Sequence, residues 1–285
     1  MPRIWFITGC SSGFGRELAI TAAKNGDTVV ATSRDPSKLE ALASLGVIAK
    51  KLNVQGSDAE VKAVIDDVLS TIGPIDILVN SVGYILEGGI EECSHEEIID
   101  HFDVNVFSQM RVLRAALPSM RARKTGAVAT FGSIAGWSGH PGAGMYCATK
   151  AAVALFTEAL HHELAPFNID VTCIEPGYFR TNFLTAGHKV IAKNHIAELD
   201  VGTKATRDAM VAYNLNQPGD PAKGAQVIFE ALTKTGRCEG RSLPARLALG
   251  RDAQGVIKES IDREQEMLDG WKDIIGSTDH QDVGN

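Results

Sequence analysis

The chain has 285 residues, 44% hydrophobic and 22% charged, enough apolar material for a large core and little for disorder except at the ends. Its net charge of -7, with Lys and Arg scattered along the chain, argues against a nucleic-acid footprint and favours small neutral or cationic partners over polyanions. Five cysteines without paired spacing suggest neither a disulfide framework nor a zinc site, and no run of about 18 apolar residues is available to span a membrane.

The apolar run Ile4 to Ile7 starts almost at the first residue and leaves no room for a signal peptide, so the expectation is a cytoplasmic protein with reduced thiols. Short β-branched runs then alternate with longer amphipathic ones. Strands are expected at Ile4 to Thr8, Thr28 to Thr32, Val47 to Leu52, Ile75 to Asn80, Ala127 to Phe131, Asp170 to Glu175 and, more weakly, Ser242 to Leu247. Helical patterns fall at Gly13 to Lys24, Ser37 to Ser44, Ala59 to Ile72, a long stretch from His95 to Arg121, and Met145 to Leu164. Cap signals support several starts: Asp35 before Pro36, Ser57 with Glu60, Ser94 with Glu97, and Asp220 before Pro221. Continuous apolar strands separated by helices mean a parallel sheet covered on both faces. The region 183–218 breaks the rhythm at the edge where such sheets bind ligands, which suits a lid or pocket wall. Residues 1–275 read as one domain and 276–285 as a frayed tail.

Thr8-Gly9-Cys10-Ser11-Ser12-Gly13-Phe14-Gly15 follows the first strand and opens the first helix. Glycines there allow a tight turn and close approach of a pyrophosphate, to which a helix N-terminus offers free N–H groups. At the end of the second strand, where an acidic side chain would bind the ribose of NAD(H), stand Ser33 and Arg34, so NADP(H) is favoured over NAD(H). Asp35 is better placed to cap the helix that begins at Pro36. Asn53 and Val54 are candidates for the adenine, and Asn80, Ser81, Val82 and Gly83 for the cofactor wall, although turn chemistry alone would also explain them. Tyr146 and Lys150 are four apart on one helix face, where an ammonium near a phenol favours the phenolate and brings a tyrosine towards useful proton transfer.

With this turn, Asn105, Ser133, Tyr146, Lys150 and Pro176-Gly177 in hand, the chain resembles a short-chain dehydrogenase/reductase of the single-domain branch, closely from Arg3 to Thr181 and loosely beyond. Its opening Ile-Trp-Phe-Ile-Thr-Gly-Cys-Ser-Ser-Gly-Phe-Gly and its Glu175-Pro-Gly-Tyr-Phe-Arg-Thr181 are similar to the 17β-hydroxysteroid-dehydrogenase-like members. The resemblance implies a Rossmann-type doubly wound parallel sheet of about seven strands with helices on both faces. It also implies a tetrad: Tyr146 as acid in carbonyl reduction, Lys150 lowering its pKa and holding the nicotinamide ribose, Ser133 bonding the substrate oxygen, and Asn105 interrupting its helix to hold a water linked to Lys150. Pro176, Gly177 and Thr181 match the segment that covers the nicotinamide. Two departures, Asn80-Ser81-Val82-Gly83 and Asn53, remove no catalytic group.

Tyr84, Trp137, His140, Met145, Tyr178 and Phe183 border the expected substrate cleft. Cys147 lies on another helix face from Tyr146, which suits packing rather than nucleophilic work, and the eight histidines lack ligand spacing, so no metal site is expected. The implied protein is a ketoreductase interconverting a small-molecule ketone and a secondary alcohol, assembled as a homodimer or homotetramer through its two long helices. An NAD-linked alcohol or hydroxysteroid dehydrogenase and a non-catalytic cofactor-binding regulator are the competing readings. The intact tetrad argues against the regulator.

Overall fold

The structure, a computed structural model, describes residues 2–185 and 187–280. Its first part comprises β1 (Ile4–Thr8), α1 (Gly13–Lys24), β2 (Thr28–Ser33), a short α2 (Glu40–Ala43), β3 (Ile48–Lys51), α3 (Asp58–Thr71), β4 (Ile77–Asn80) and β5 (Ile85–Glu87). There follow α4 (His95–Phe102), α5 (Ser108–Arg123), β6 (Gly126–Phe131), α6 (Gly144–Leu164), β7 (Ile169–Pro176), β8 (Lys189–Ile191), α7 (Asp200–Tyr213), α8 (Pro221–Thr233), β9 (Arg246–Leu249) and α9 (Arg251–Gly276). Seven strands pair in parallel in the order β3-β2-β1-β4-β6-β7-β9, the doubly wound Rossmann-type arrangement. The strand order reverses between β1 and β4, and the crevice at their carboxyl ends is where such sheets take ligands.

Strand side chains alternate between two cores. Trp5, Ile7, Val29, Ala31, Ile77 and Val79 pack with Leu18 and Ala22 of α1 and Ile228 and Phe229 of α8. Phe6, Val30, Leu78 and Val128 pack on the other face with Val61 and Ile65 of α3 and Val112 and Ala116 of α5. Burial on both faces is why these strands read as unbroken apolar runs. Trp5 stacks on Phe229 at 5.5 Å between centroids and donates its indole N–H to Asp27 at 2.8 Å.

Several expected elements change in extent. β3 and β4 are shorter than the apolar runs Val47 to Leu52 and Ile75 to Asn80, and the weak last strand lies at Arg246–Leu249 instead of Ser242 to Leu247. The single helix from His95 to Arg121 is broken by a π turn at Asp103–Phe107. Such a turn moves carbonyls off their usual amide partners, and the Asn105 carbonyl accepts instead from Gln109 Nε2 at 2.8 Å. α9, a charged and mostly exposed helix, was not among the expected elements. Of the expected tail 276–285, Ser277 bonds back to the Ile274 carbonyl at the end of α9, and 281–285 lie outside the described residues. Among the described residues no helix is long and apolar enough to cross a membrane, and no group of three or more His, Cys, Asp or Glu could hold a metal ion.

The stretch 183–218 contains β8, which pairs in parallel with β5, and α7. Charge fastens both to the body. Glu92 is buried, and burial alone would raise its pKa; the amides of Ile196 (3.0 Å) and Gly89 (2.6 Å) and the Arg207 guanidinium bring it down to about 2. His195 adds a contact at 3.2 Å, and Lys189 pairs with buried Glu87. Arg207 projects from α7, so its bridge fixes the helix whose Met210 joins Tyr146 in one apolar cluster. Arg207→Ala would leave a buried carboxylate short of its counter-charge, and a loss of about 3 kcal/mol is expected in urea denaturation. Because the folded pKa is depressed, the Glu92 contribution is present above the ordinary glutamate value of 4.5 and lost as pH falls towards about 2.

Candidate active site

The turn between β1 and α1 places Gly9 at φ +74° and Gly13 at φ +58°, the left-handed region that glycine enters without a steric cost. A Cβ on Gly15 would stand 2.5 Å from Ser81 Oγ and 2.6 Å from the Gly9 carbonyl oxygen, so backbone and neighbour both close on it. The helix this turn opens starts differently from α3 and α4. α3 and α4 carry capping boxes, Ser57 with Glu60 and Ser94 with Glu97, which satisfy their own first amides. At α1 the N-cap Ser12 makes no side-chain cap bond and the first turn has no acidic residue, leaving its N–H groups and positive dipole end for an outside anion. The turn therefore fits the pyrophosphate of a dinucleotide.

A cavity of about 1060 Å³ runs from this turn along the carboxyl ends of the strands. That is at the upper end for one ligand, as suits a dinucleotide together with a substrate. Ser33, Arg34 and Val54 line one end, and Gly9, Ser11, Ser12, Gly13, Phe14 and Gly15 the floor. Ser81, Val82 and Gly83, then Pro176, Gly177 and Thr181, line the middle. Ser133, Tyr146 and Lys150 sit at the far end, where Tyr84, His140, Tyr178 and Phe183 also face the cavity.

Six residues named from the sequence do not line it. Thr8 is buried and ties β1 to β4, its hydroxyl accepting from the Ser81 amide at 3.1 Å while its carbonyl accepts from Ser81 Oγ at 2.5 Å. Asn80 is buried with its amide nitrogen on the Gln109 carbonyl at 3.3 Å. Asn53 is turned into its own turn, where its oxygen accepts from the Gln55 amide at 3.3 Å; Val54 and Gln55 line the cleft instead. Trp137 donates to Glu175 at 2.8 Å under the Arg246 guanidinium, 3.9 Å from its centroid, and so faces the β7–β9 side. Met145 packs against the cluster of Leu86, Cys93 and Ala192. Asn105 lies behind the wall: its Oδ1 accepts from the Tyr84 amide at 3.0 Å, and its Nδ2 donates to the Tyr84 carbonyl at 2.9 Å and Thr149 Oγ1 at 3.1 Å.

Ser133 caps the turn after β6, its Oγ accepting from the Ala135 amide at 3.1 Å, and its hydroxyl lies close enough to Tyr146 to pull the phenol's pKa down. Lys150, 3% exposed, donates to the Phe131 carbonyl at 2.8 Å, with Nζ 5.7 Å from the Tyr146 ring centroid. Burial brings its pKa down to about 8. Burial also pushes the Tyr146 phenol above its ordinary value, and the Ser133 hydroxyl is the neighbour that opposes the rise. Desolvation is the largest influence on this phenol, and the Lys150 hydrogen bond goes to a backbone carbonyl. The cluster holds a protonated phenol beside a hydroxyl and a buried cation, which suits donating a proton to an oxygen.

His101 was one of the eight histidines without ligand spacing and had no further signal in the sequence. It is fully buried behind the cluster, 4.8 Å from the Tyr84 ring and 6.2 Å from that of Tyr146, with Nε2 2.8 Å from Asn105 Nδ2. Burial holds its pKa at about 4, so it is neutral at pH 7. Leu184, His188 and Thr206 also line the cleft without having been singled out, since their segment has no periodic pattern. Gly15→Ala is expected to lower stability by about 1–3 kcal/mol through overpacking and to weaken dinucleotide binding, as thermal melts with and without cofactor would register.

The short chain dehydrogenase family matches this chain over residues 3–189. Across 278 residues the chain is 30% identical to oxidoreductase BOA17 of Botryotinia fuckeliana (strain B05.10), over 96% of this chain and 98% of that protein. It is 34% identical over 182 residues to 3-ketodihydrosphingosine reductase of Bacteroides thetaiotaomicron, 64% of this chain and 66% of the relative. A solved short-chain dehydrogenase from Streptomyces avermitilis shares 37% identity and a TM-score of 0.88, over 98% of this chain and all of that one. The parallel seven-stranded sheet, the glycine turn at its switch point and these likenesses agree: the chain belongs to the short-chain dehydrogenase family, oxidoreductases that act on CH–OH and C=O groups with a nicotinamide cofactor.

Proposed function

We propose that the chain is an NADPH-dependent ketoreductase, interconverting a ketone and a secondary alcohol, with Tyr146 as general acid in reduction and base in oxidation. The observation that carries this reading is that Ser133, Tyr146 and buried Lys150 line one cleft together with Arg34. The cofactor, when bound, supplies or accepts the hydride. The protein's part is positional and electrostatic. Ser133 donates to the carbonyl oxygen as negative charge grows on it, a donor fixed in place before reaction. Tyr146 gives its proton to that oxygen, and the Lys150 ammonium offsets the phenolate left behind. Asn105 acts through Tyr84 and Thr149 to hold the wall beside Lys150, a positioning role.

Arg34 and Ser33 would take the ribose 2′-phosphate. Support comes from Asp35, whose carboxylate is occupied by the Ser37 amide at 3.1 Å and hydroxyl at 2.7 Å and is therefore not the ribose ligand that NAD(H) would need. The name of the Bacteroides thetaiotaomicron relative, a reductase of a ketone, agrees with the proposed direction. Residues 183–218 are proposed as the substrate lid, within one domain over 1–275. A cytoplasmic homo-oligomer is proposed too, with Phe107 of the π turn and Leu155 of α6 exposed for pairing.

Tyr146→Phe should lower ketone reduction at least about 100-fold, read from NADPH absorbance, while NADP+ affinity stays as in the wild type. Unchanged turnover would remove Tyr146 as the acid. Reduction should be steady at lower pH and decline as pH rises through about 8, because Lys150 loses its proton there and can no longer offset the phenolate. A profile flat to pH 10 would contradict the role given to Lys150.

A further inference from the structure

The segment after Thr181 reaches along the cleft in both directions. Thr181 Cβ and Cγ2 lie 3.9 Å from the position a Gly13 Cβ would take, and the Phe183 ring is 5.9 Å from that of Tyr146. Five residues after Phe183, His188 stands over the glycine turn, with Nε2 3.4 Å from Ser12 Oγ. Its side chain faces the same cleft as Ser33 and Arg34. Its backbone is held on both sides, the amide donating to the Thr185 carbonyl at 3.1 Å and the carbonyl accepting from the Ile85 amide at 3.2 Å. His188 is half-buried; burial, then Lys38 and Arg34, keeps its pKa below the ordinary histidine value. His188 thus lines the same cleft as Arg34, and Arg34 and Lys38, from the stretch after β2, are close enough to add to the fall in its pKa. A phosphate dianion among them turns mutual repulsion into attraction and lets the imidazole act as a charge-assisted donor.

We propose that His188 contacts the ribose 2′-phosphate from the lid side, opposite Arg34, so that the lid grips NADP(H) through a group that NAD(H) does not offer. The inference rests on the reading of the cleft as an NADP(H) site and deepens it: cofactor preference is divided between the end of β2 and the lid. Since Phe183 of the same segment lies beside Tyr146, binding the 2′-phosphate also orders the wall of the reacting end.

Isothermal titration of the full-length chain with NADP+, NAD+, 2′,5′-ADP and 5′-AMP tests this without turnover. The wild type is expected to bind 2′,5′-ADP more tightly than 5′-AMP. His188→Ala should weaken NADP+ and 2′,5′-ADP by about tenfold and leave NAD+ and 5′-AMP within about twofold, with His188→Gln, which keeps a donor and loses the charge, falling between. Equal weakening of all four ligands would mean that His188 only shapes the lid, and no weakening would mean that it does not touch the phosphate; either result overturns the inference and leaves the NADP(H) reading standing. A wild type that does not distinguish 2′,5′-ADP from 5′-AMP overturns that reading and this inference with it. Thermal melts of both variants confirm that they fold.

Discussion

A lysine ammonium held inside the protein is the constraint around which the reactive end of the cleft is built. Lys150 is 3% exposed, and a buried charge must find polar partners or lose its proton. The Phe131 carbonyl, at the last residue of β6, supplies one partner. At the same place the chain passes close to both: a Cβ on Gly83 would sit 3.4 Å from Lys150 Nζ and 3.3 Å from Asn105 Oδ1. The π turn then becomes intelligible: it turns Asn105 towards Tyr84 and Thr149, fastening the chain after β4 to α6 directly behind the lysine. Four elements meet at one charge, so the phenol, hydroxyl and ammonium are held without relying on exposed loops.

The other end of the cleft follows a different rule. The starts of α3 and α4 are closed by their own side chains. The start of α1 carries no side-chain cap and no acidic residue in its first turn, and Arg34 lines the same cleft. Between the two ends lies a segment that belongs to both. It is anchored through buried Glu92 and Glu87, whose partners Arg207 and Lys189 come from α7 and β8. These bonds let a polar surface segment bring Met210 and Phe183 against Tyr146, although it contributes little to the main core.

Much of the scaffold was legible in the sequence because the two commonest signals, strand-length apolar runs and cap residues, are local. The first six sheet strands, two of them shortened, the boxes at Ser57 and Ser94 and the caps at Asp35 and Asp220 followed from neighbours a few residues apart, whereas the last strand was placed too early. Within 183–218 the elements β8 and α7 were not legible, nor was α9. They are fastened by ion pairs and contacts long-range in sequence, such as Arg207 with Glu92 and Asp252 accepting from the Tyr178 amide at 2.6 Å.

The same division separates the site residues. The sequence by itself determined which groups are available: the glycines, Ser133, Tyr146, Lys150, and Arg34 where an acid would select NAD(H). Only the tertiary structure decided where each points. It turned Trp137 towards Glu175, Asn53 into its own turn and Thr8 onto Ser81, buried His101 behind the phenol, and brought His188 to Ser12 across 176 residues of chain. Identity and spacing are written along the chain, whereas side-chain direction and desolvation depend on neighbours remote in sequence, and those two quantities set the proton affinities of Tyr146 and Lys150.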